Sequence, residues 1–262
     1  MVFNCRLKVL KTVGVLLGLL LFSSASAVQT NSLVVLFGDS ITVGFNSGRR
    51  IDFPSGSTTI SGPRQFLSDL LNDPAAPRNT IVANWGAGGT SSSNGITRII
   101  SNLDASRANN PADQFIVLIM YGTNDFGQGI STSTTAFNNN ILVFLARNVG
   151  YLPIVGTVTP RSDRDIGPLA AAITAEVTAN NAQVVDQFSF FNARPLEQNF
   201  ELEISLLSGQ PIRLHPNDNG YRLLAQNWFD GALQNLIPVT FPPPPPAPPV
   251  LIAPLLPLLL ED

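Results

Sequence analysis

The sequence predicts a three-layer α/β/α domain built on one parallel sheet of five strands. Five short apolar runs rich in Val, Ile and Leu, at 33–37, 80–84, 115–120, 152–158 and 183–186, alternate with segments whose apolar residues recur at helical spacing. Three of these runs end in glycine and small polar residues, the composition that open α/β sheets place beyond the carboxyl ends of their strands. Strand–helix alternation calls for right-handed βαβ units. Five such strands suit the flavodoxin-like order 2-1-3-4-5.

The first run, Leu33-Val34-Val35-Leu36-Phe37, is apolar throughout, as a strand buried on both faces should be. It stops at Gly38-Asp39-Ser40. A serine there sits where such sheets hold ligands, and it also suits the cap of the helix that follows. Residues 45–62 are polar and Gly-rich, carry Arg49 and Arg50, and read as a loop shaping access to the strand end. Pro63 opens a helix with Phe66, Leu67, Leu70 and Leu71 at helical spacing, and Asn72-Asp73-Pro74 ends it. Thr80–Asn84 is a second strand. It runs into Trp85-Gly86-Ala87-Gly88-Gly89, where three glycines in four residues let backbone N–H groups turn toward a ligand. Neither a Gly-Lys-Ser/Thr ending nor a dinucleotide fingerprint accompanies it. The next helix carries Ile96, Ile99, Ile100 and Leu103 on one face.

Phe115–Met120, the most strand-like run, delivers Tyr121-Gly122-Thr123-Asn124-Asp125 to the same sheet edge. A helix over 133–148 bears Phe137, Ile141, Phe144 and Leu145. Residues 152–158 form a strand with Pro153 near its start, where the missing N–H is tolerable. An Ala-rich helix over 168–180 and a short strand at 183–186 complete the sheet, and 187–214 read as irregular. Leu214-His215-Pro216-Asn217 then leads into an amphipathic helix with Leu223, Leu224, Trp228, Phe229 and Leu233 on its apolar side.

The two ends of the chain have another character. Arg6, Lys8 and Lys11 precede a ten-residue apolar run, Val13 to Phe22, and Ser24-Ala25-Ser26-Ala27 supplies a small-residue cleavage pattern. This is the order of a secretory signal peptide over 1–27. The run is too short for the roughly 20 residues of a membrane span. Cleavage after Ala27 would remove the only cysteine, Cys5, and with it any disulfide or thiolate chemistry. The predicted domain covers 28–240. Residues 241–262 form a tail: a polyproline spacer, then an apolar stretch broken by Pro254 and Pro257. It reads as a dispensable disordered tail or as a sorting or surface-attachment signal. Expected localisation is therefore outside the cytoplasm: periplasmic, extracellular or cell-surface. At 262 residues, 13% of them charged, with a net charge of −3, the chain lacks the basic footprint of a nucleic-acid binder. Its composition sets no oligomeric state.

Gly38-Asp39-Ser40-Ile41-Thr42, Asn84-x-Gly-x-x-Gly89, Gly122-Thr123-Asn124-Asp125 and His215-Pro216-Asn217 occur in that order. Together they resemble the SGNH or GDSL hydrolase family of esterases and lipases, over about residues 32–235. The resemblance implies the SGNH hydrolase fold, with Ser40 as nucleophile and His215 as general base. It implies an oxyanion hole made by the backbone N–H of Ser40, that of Gly89 and the side-chain amide of Asn124. The chemistry of the residues agrees, since a serine hydroxyl needs a base and His215 is the only histidine. No cofactor is implied, and no His/Cys cluster offers itself to a metal.

One position departs from the family pattern. An Asp usually lies three residues before the His, and here that residue is Ile212. Three outcomes follow. A main-chain carbonyl orients the ring, giving a Ser-His dyad, which is the favoured expectation. Alternatively Glu201, Glu203 or Asp218 substitutes, or the protein is weak or inactive. Asp39, Asp125 and Asp186 read as structural. The expected function is a secreted serine carboxylic-ester hydrolase acting on small or soluble acyl esters. The alternatives are a non-catalytic binding protein that keeps the pocket, an acyltransferase, or a polysaccharide O-acetylesterase.

Overall fold

In the computed structural model, which describes residues 31–45, 62–205 and 208–240, the first apolar run forms β1 (Ser32–Gly38), buried along its whole length. A four-residue helix α1 (Ser40–Val43) follows at once, then α2 (Gly62–Leu71), β2 (Thr80–Asn84) and α3 (Ser92–Asn109). The chain continues through β3 (Gln114–Met120), α4 (Thr132–Asn148), β4 (Leu152–Gly156), α5 (Gly167–Ala179) and β5 (Gln183–Val185). The five strands pair in parallel in the order β2-β1-β3-β4-β5, as the alternation predicts. Gly38 stands opposite Met120, so the loops after β1 and β3 leave the sheet side by side.

Period-2 alternation along β1 divides the core. Leu33, Val35 and Phe37 pack with Ile99, Leu103, Leu142 and Ile173 from α3, α4 and α5. Val34 and Leu36 face the other way, onto Leu67 and Leu71 of α2. Fully burying side chains of this size is worth about 1.5–3 kcal/mol each, which fixes the strand ends from which the site is built.

The stretch read as irregular, 187–214, carries regular structure in its described residues, 187–205 and 208–214. It forms α6 (Gln187–Asn192), α7 (Leu196–Asn199) and an antiparallel ribbon, β6 (Phe200–Ile204) with β7 (Pro211–Pro216). The ribbon hides from pattern reading for a physical reason. Its register shifts between Phe200 and Leu202, so Phe200 is buried while Leu202 and Ile204 are 63% and 62% exposed. A bulge turns the apolar set outward halfway along the strand. The last helix, α8 (Asp218–Trp228), is capped by the Asn217 side chain, which accepts from Gly220 N–H at 3.0 Å. It continues through a π turn, Phe229–Leu233, into α9 (Gln234–Leu236). Tyr221, Leu224 and Trp228 join the core on the α2 side.

Two helix faces also differ from their spacing. Ile100 of α3 and Phe137 and Phe144 of α4 point outward. Helix α4 is seated instead by Ala136, Leu142, Val143 and Ala146, with Asn138 and Asn139 buried beside them. Asn138 Nδ2 donates to Ser92 Oγ at 2.8 Å, and Asn139 Nδ2 to Thr135 O at 2.9 Å, so both amide nitrogens are tied inside. The predicted signal peptide, the Arg49/Arg50 segment and the Pro-rich tail lie outside the described residues. Among the described residues no helix is long and apolar enough to cross a membrane.

Candidate active site

Ser40 begins α1 at the carboxyl end of β1, and its side chain is nearly enclosed. The cap of that helix is Asp39, whose carboxylate accepts from Ile41 N–H at 2.9 Å. Serine is thus released from capping and its hydroxyl faces the sheet edge. Asp39 is buried, and burial pushes its carboxyl up to about 7, opposed by the Ile41 N–H and helped by the charge of Asp125.

The glycine-rich loop follows β2 along β1. Trp85 N–H donates to Leu36 O at 2.8 Å and Ala87 N–H to Gly38 O at 2.9 Å. The loop therefore arrives beside Ser40, where a Cβ on Gly88 would lie 4.0 Å from the serine Cβ. Gly89 has φ +72°, the left-handed region that glycine enters without strain. The loop after β3 is held from behind. Asp125 accepts from Ser92 N–H at 2.9 Å, from Thr135 Oγ1 at 3.0 Å and from Ser92 Oγ. Asn124 Nδ2 donates to Thr90 O at 3.0 Å. That bond uses one amide hydrogen and leaves the second for another acceptor. Asp186 caps α6 and accepts from Thr157 Oγ1, both at 3.0 Å. All three aspartates read as structural hold loops or helix starts.

The β6–β7 ribbon brings the imidazole. His215 Nε2 lies 2.8 Å from Ser40 Oγ, across 175 residues of chain. On the other side Nδ1 lies 2.8 Å from Glu203 Oε2 and 2.9 Å from Oε1, and the His215 backbone N–H donates to Oε1 at 2.9 Å. A carboxylate only accepts, so Nδ1 carries the proton and Nε2 is left to accept from the serine hydroxyl. The main-chain carbonyl favoured from the sequence is therefore replaced by a carboxylate. Glu203 takes the place of the missing Asp, while Ile212 is buried in the ribbon. The Phe45 ring packs against the imidazole, centroids 4.7 Å apart. Burial holds the His215 pKa below the usual value, against Glu203, which raises it, and with Arg161, which lowers it.

Arg161 had no place in the sequence reading. It lies on the loop after β4, only 9% exposed. Its Nη1 donates to Thr123 O at 3.2 Å, and it grips Asp163 through Nε and Nη2 at 2.6 and 2.9 Å. Next to it, Ser162 and Arg213 exchange two bonds, Ser162 N–H to Arg213 O at 3.2 Å and Arg213 N–H to Ser162 Oγ at 2.8 Å. The loop thus links the Asn124 segment to the ribbon. The only signal for it was position, an arginine just past a strand's carboxyl end. Among the described residues no group of His, Cys, Asp and Glu could hold a metal ion.

A hydroxyl, an imidazole and a carboxylate thus stand in line beside the strand ends of a parallel α/β sheet. The chain belongs to the GDSL-like lipase/acylhydrolase family, whose model matches residues 36–223. This bears out the SGNH/GDSL resemblance. At this level the protein is an ester hydrolase, and its family points to small-molecule substrates. Solved structures share the fold. A lipase/acylhydrolase from Enterococcus faecalis superposes with a TM-score of 0.60 at 20% identity, over 80% of this chain and 100% of the other. A G-D-S-L family lipolytic protein from Veillonella parvula gives 0.55 at 21%, over 78% and 99%. A catalytic mutant of an acetylxylan esterase from Geobacillus stearothermophilus gives 0.57 at 17%, over 77% and 93%. No curated protein matches the sequence.

Proposed function

We propose that the protein is a secreted serine carboxylic-ester hydrolase acting on small or soluble acyl esters. The observation that carries this is the unbroken line from Ser40 Oγ through the His215 ring to Glu203, with both hydrogen bonds, at Nε2 and at Nδ1, 2.8 Å long. Ser40 attacks the acyl carbonyl while His215 takes its proton. The carbonyl oxygen, turning negative, accepts from the N–H groups of Ser40 and Gly89 and from the second Asn124 amide hydrogen. His215 returns the proton to the departing alcohol oxygen, whose bond to the acyl carbon breaks. Water then adds to the acyl-enzyme by the same route. Glu203 holds the ring in the tautomer this needs and stabilises the imidazolium.

The alternative of a binding protein without activity drew on the absence of an orienting carboxylate, and Glu203 weakens that motive. Hydrolysis of p-nitrophenyl acetate, propionate and butyrate by wild type and Ser40→Ala tests the reading. The expected result is turnover by wild type, strongest on the short chains, and loss of about 10³-fold or more in the variant. Equal rates from both proteins would overturn it. Export is tested by expressing the full chain and determining the N-terminus of the mature protein, expected at Val28.

A further inference from the structure

Phe126 stands out among the apolar side chains around the site. It is 63% exposed, and it opens a short 3₁₀ turn, Phe126–Gln128, immediately after Asn124-Asp125. The turn is fastened to both proposed oxyanion segments: Gln128 Nε2 donates to Gly89 O at 2.9 Å and Gln128 N–H to Asn124 O at 3.2 Å. One face of the ring is covered by the Arg164 guanidinium, its Cζ 3.8 Å from the ring centroid. Arg164 is itself held by Asp163, at 3.2 and 3.3 Å. Asp163 is gripped by Arg161, and Arg161 binds Thr123 O, the carbonyl next to Asn124. The chain of contacts closes on itself. The ring is thus held against Arg164 while the side chain stays 63% exposed, and the cost of ordering it is met before any ligand arrives.

An acyl chain seeks a continuous apolar wall. Here an exposed aromatic side chain shares its turn with Gln128 and is backed by Arg164, which Asp163 holds, so hydrogen-bonding groups accompany it. That pattern suits a ligand with an apolar face and a polar rim, and a pyranose ring has C–H groups on its faces and hydroxyls around its edge. An aromatic face, with its negative quadrupole, attracts such C–H groups.

We propose that Phe126 is the platform of a sugar subsite, stacking the pyranose ring of an O-acylated saccharide whose ester lies at Ser40. The proposal rests on the reading of Ser40 as nucleophile and names its substrate class. The departing group is then a sugar hydroxyl: the acyl-carbon–oxygen bond breaks, the acyl group passes to Ser40 Oγ, and His215 returns the serine proton to the sugar oxygen.

Acetylated xylobiose and ethyl acetate separate the alternatives, because only the first has a sugar ring to stack. Rates are measured by acid release for wild type, Phe126→Ala and Phe126→Trp. The side chain is exposed, so both variants should fold. Phe126→Ala should lose roughly tenfold in kcat/KM on acetylated xylobiose, mainly through KM, and stay within about twofold of wild type on ethyl acetate. Phe126→Trp should keep the sugar-ester rate. Equal losses on the two esters, or no loss on either, would overturn the subsite. A wild type inactive on both, and on p-nitrophenyl acetate, takes down the hydrolase reading instead.

Discussion

Glu203 stands directly opposite Ile212 in the register of the β6–β7 ribbon. Opposed residues on such a ribbon bring their Cβ atoms to about 5 Å. The carboxylate that the family pattern puts at 212 is thus supplied from across the ribbon, one strand over. It reaches both the ring Nδ1 and the backbone N–H of His215. Glu203→Gln should therefore cost on the order of 10⁴ in kcat, because an amide in that place admits the wrong imidazole tautomer. KM should change little. Adding Ile212→Asp to Glu203→Ala should recover part of the lost kcat, and steady-state kinetics on p-nitrophenyl acetate measures both. A Glu203→Gln enzyme at wild-type kcat would remove Glu203 from the mechanism.

In the proposed mechanism His215 must be neutral to accept the serine proton. Burial, the largest influence, keeps His215 below 6.5, and Arg161 adds to it while Glu203 opposes. Protonation on the acid side switches the base off, so kcat/KM should be flat at pH 7 and fall with a midpoint below 6.5. Arg161→Met removes one of the lowering influences, and the midpoint should move upward. The same variant loses the bond to Thr123 O, so the plateau should fall as well, through kcat. The shift of the midpoint separates the electrostatic role from a merely structural one. A variant whose plateau drops while its midpoint stays put would show that the charge of Arg161 does not act on the ring.

The parallel sheet is legible in the sequence because strands buried on both faces are written as unbroken apolar runs. Ser40, Gly89 and Asn124 are legible because each ends or follows such a run. Glu203 is harder to read. It belongs to a two-stranded ribbon whose bulge exposes Leu202 and Ile204, so neither alternation nor a continuous run marks it. Its partnership with His215 depends on a cross-strand register, which local pattern does not encode. Arg161 and Phe126 share that difficulty, since their meaning lies in contacts made with other loops.

Asp39 makes stability depend on pH in a direction unusual for a carboxyl. Burial raises it from 3.8 to about 7. The folded protein therefore holds this proton more tightly than the unfolded chain does. The contribution favours folding in acid and is lost as pH rises from about 4 through 7, by up to roughly 4 kcal/mol. Asparagine at 39 cannot ionise and keeps an oxygen to accept from Ile41 N–H. Relative to wild type, the Tm of Asp39→Asn should rise between pH 4 and pH 7.5. Parallel Tm curves over that range would refute the assignment.

Gly220 is where the last helix clasps the ribbon that carries His215. A Cβ there would lie 2.1 Å from Asn199 O and 2.8 Å from Pro216 Cβ. Neither neighbour can swing aside. Asn199 O already accepts from Asn217 N–H at 3.0 Å, and Asn199 Oδ1 accepts from Asn219 Nδ2 at 2.7 Å. Pro216 adjoins the histidine itself. Gly220→Ala must push α8 away from the base of the ribbon, at a cost of about 1–3 kcal/mol or more. For a chain of this size that is a loss of several degrees in Tm. Because the displaced segment begins at Pro216, the His215–Ser40 distance should suffer too. At 25 °C, where the variant remains folded, kcat should fall by more than its unfolded fraction explains. A normal Tm together with a normal kcat would mean that the clasp does not set the position of the imidazole.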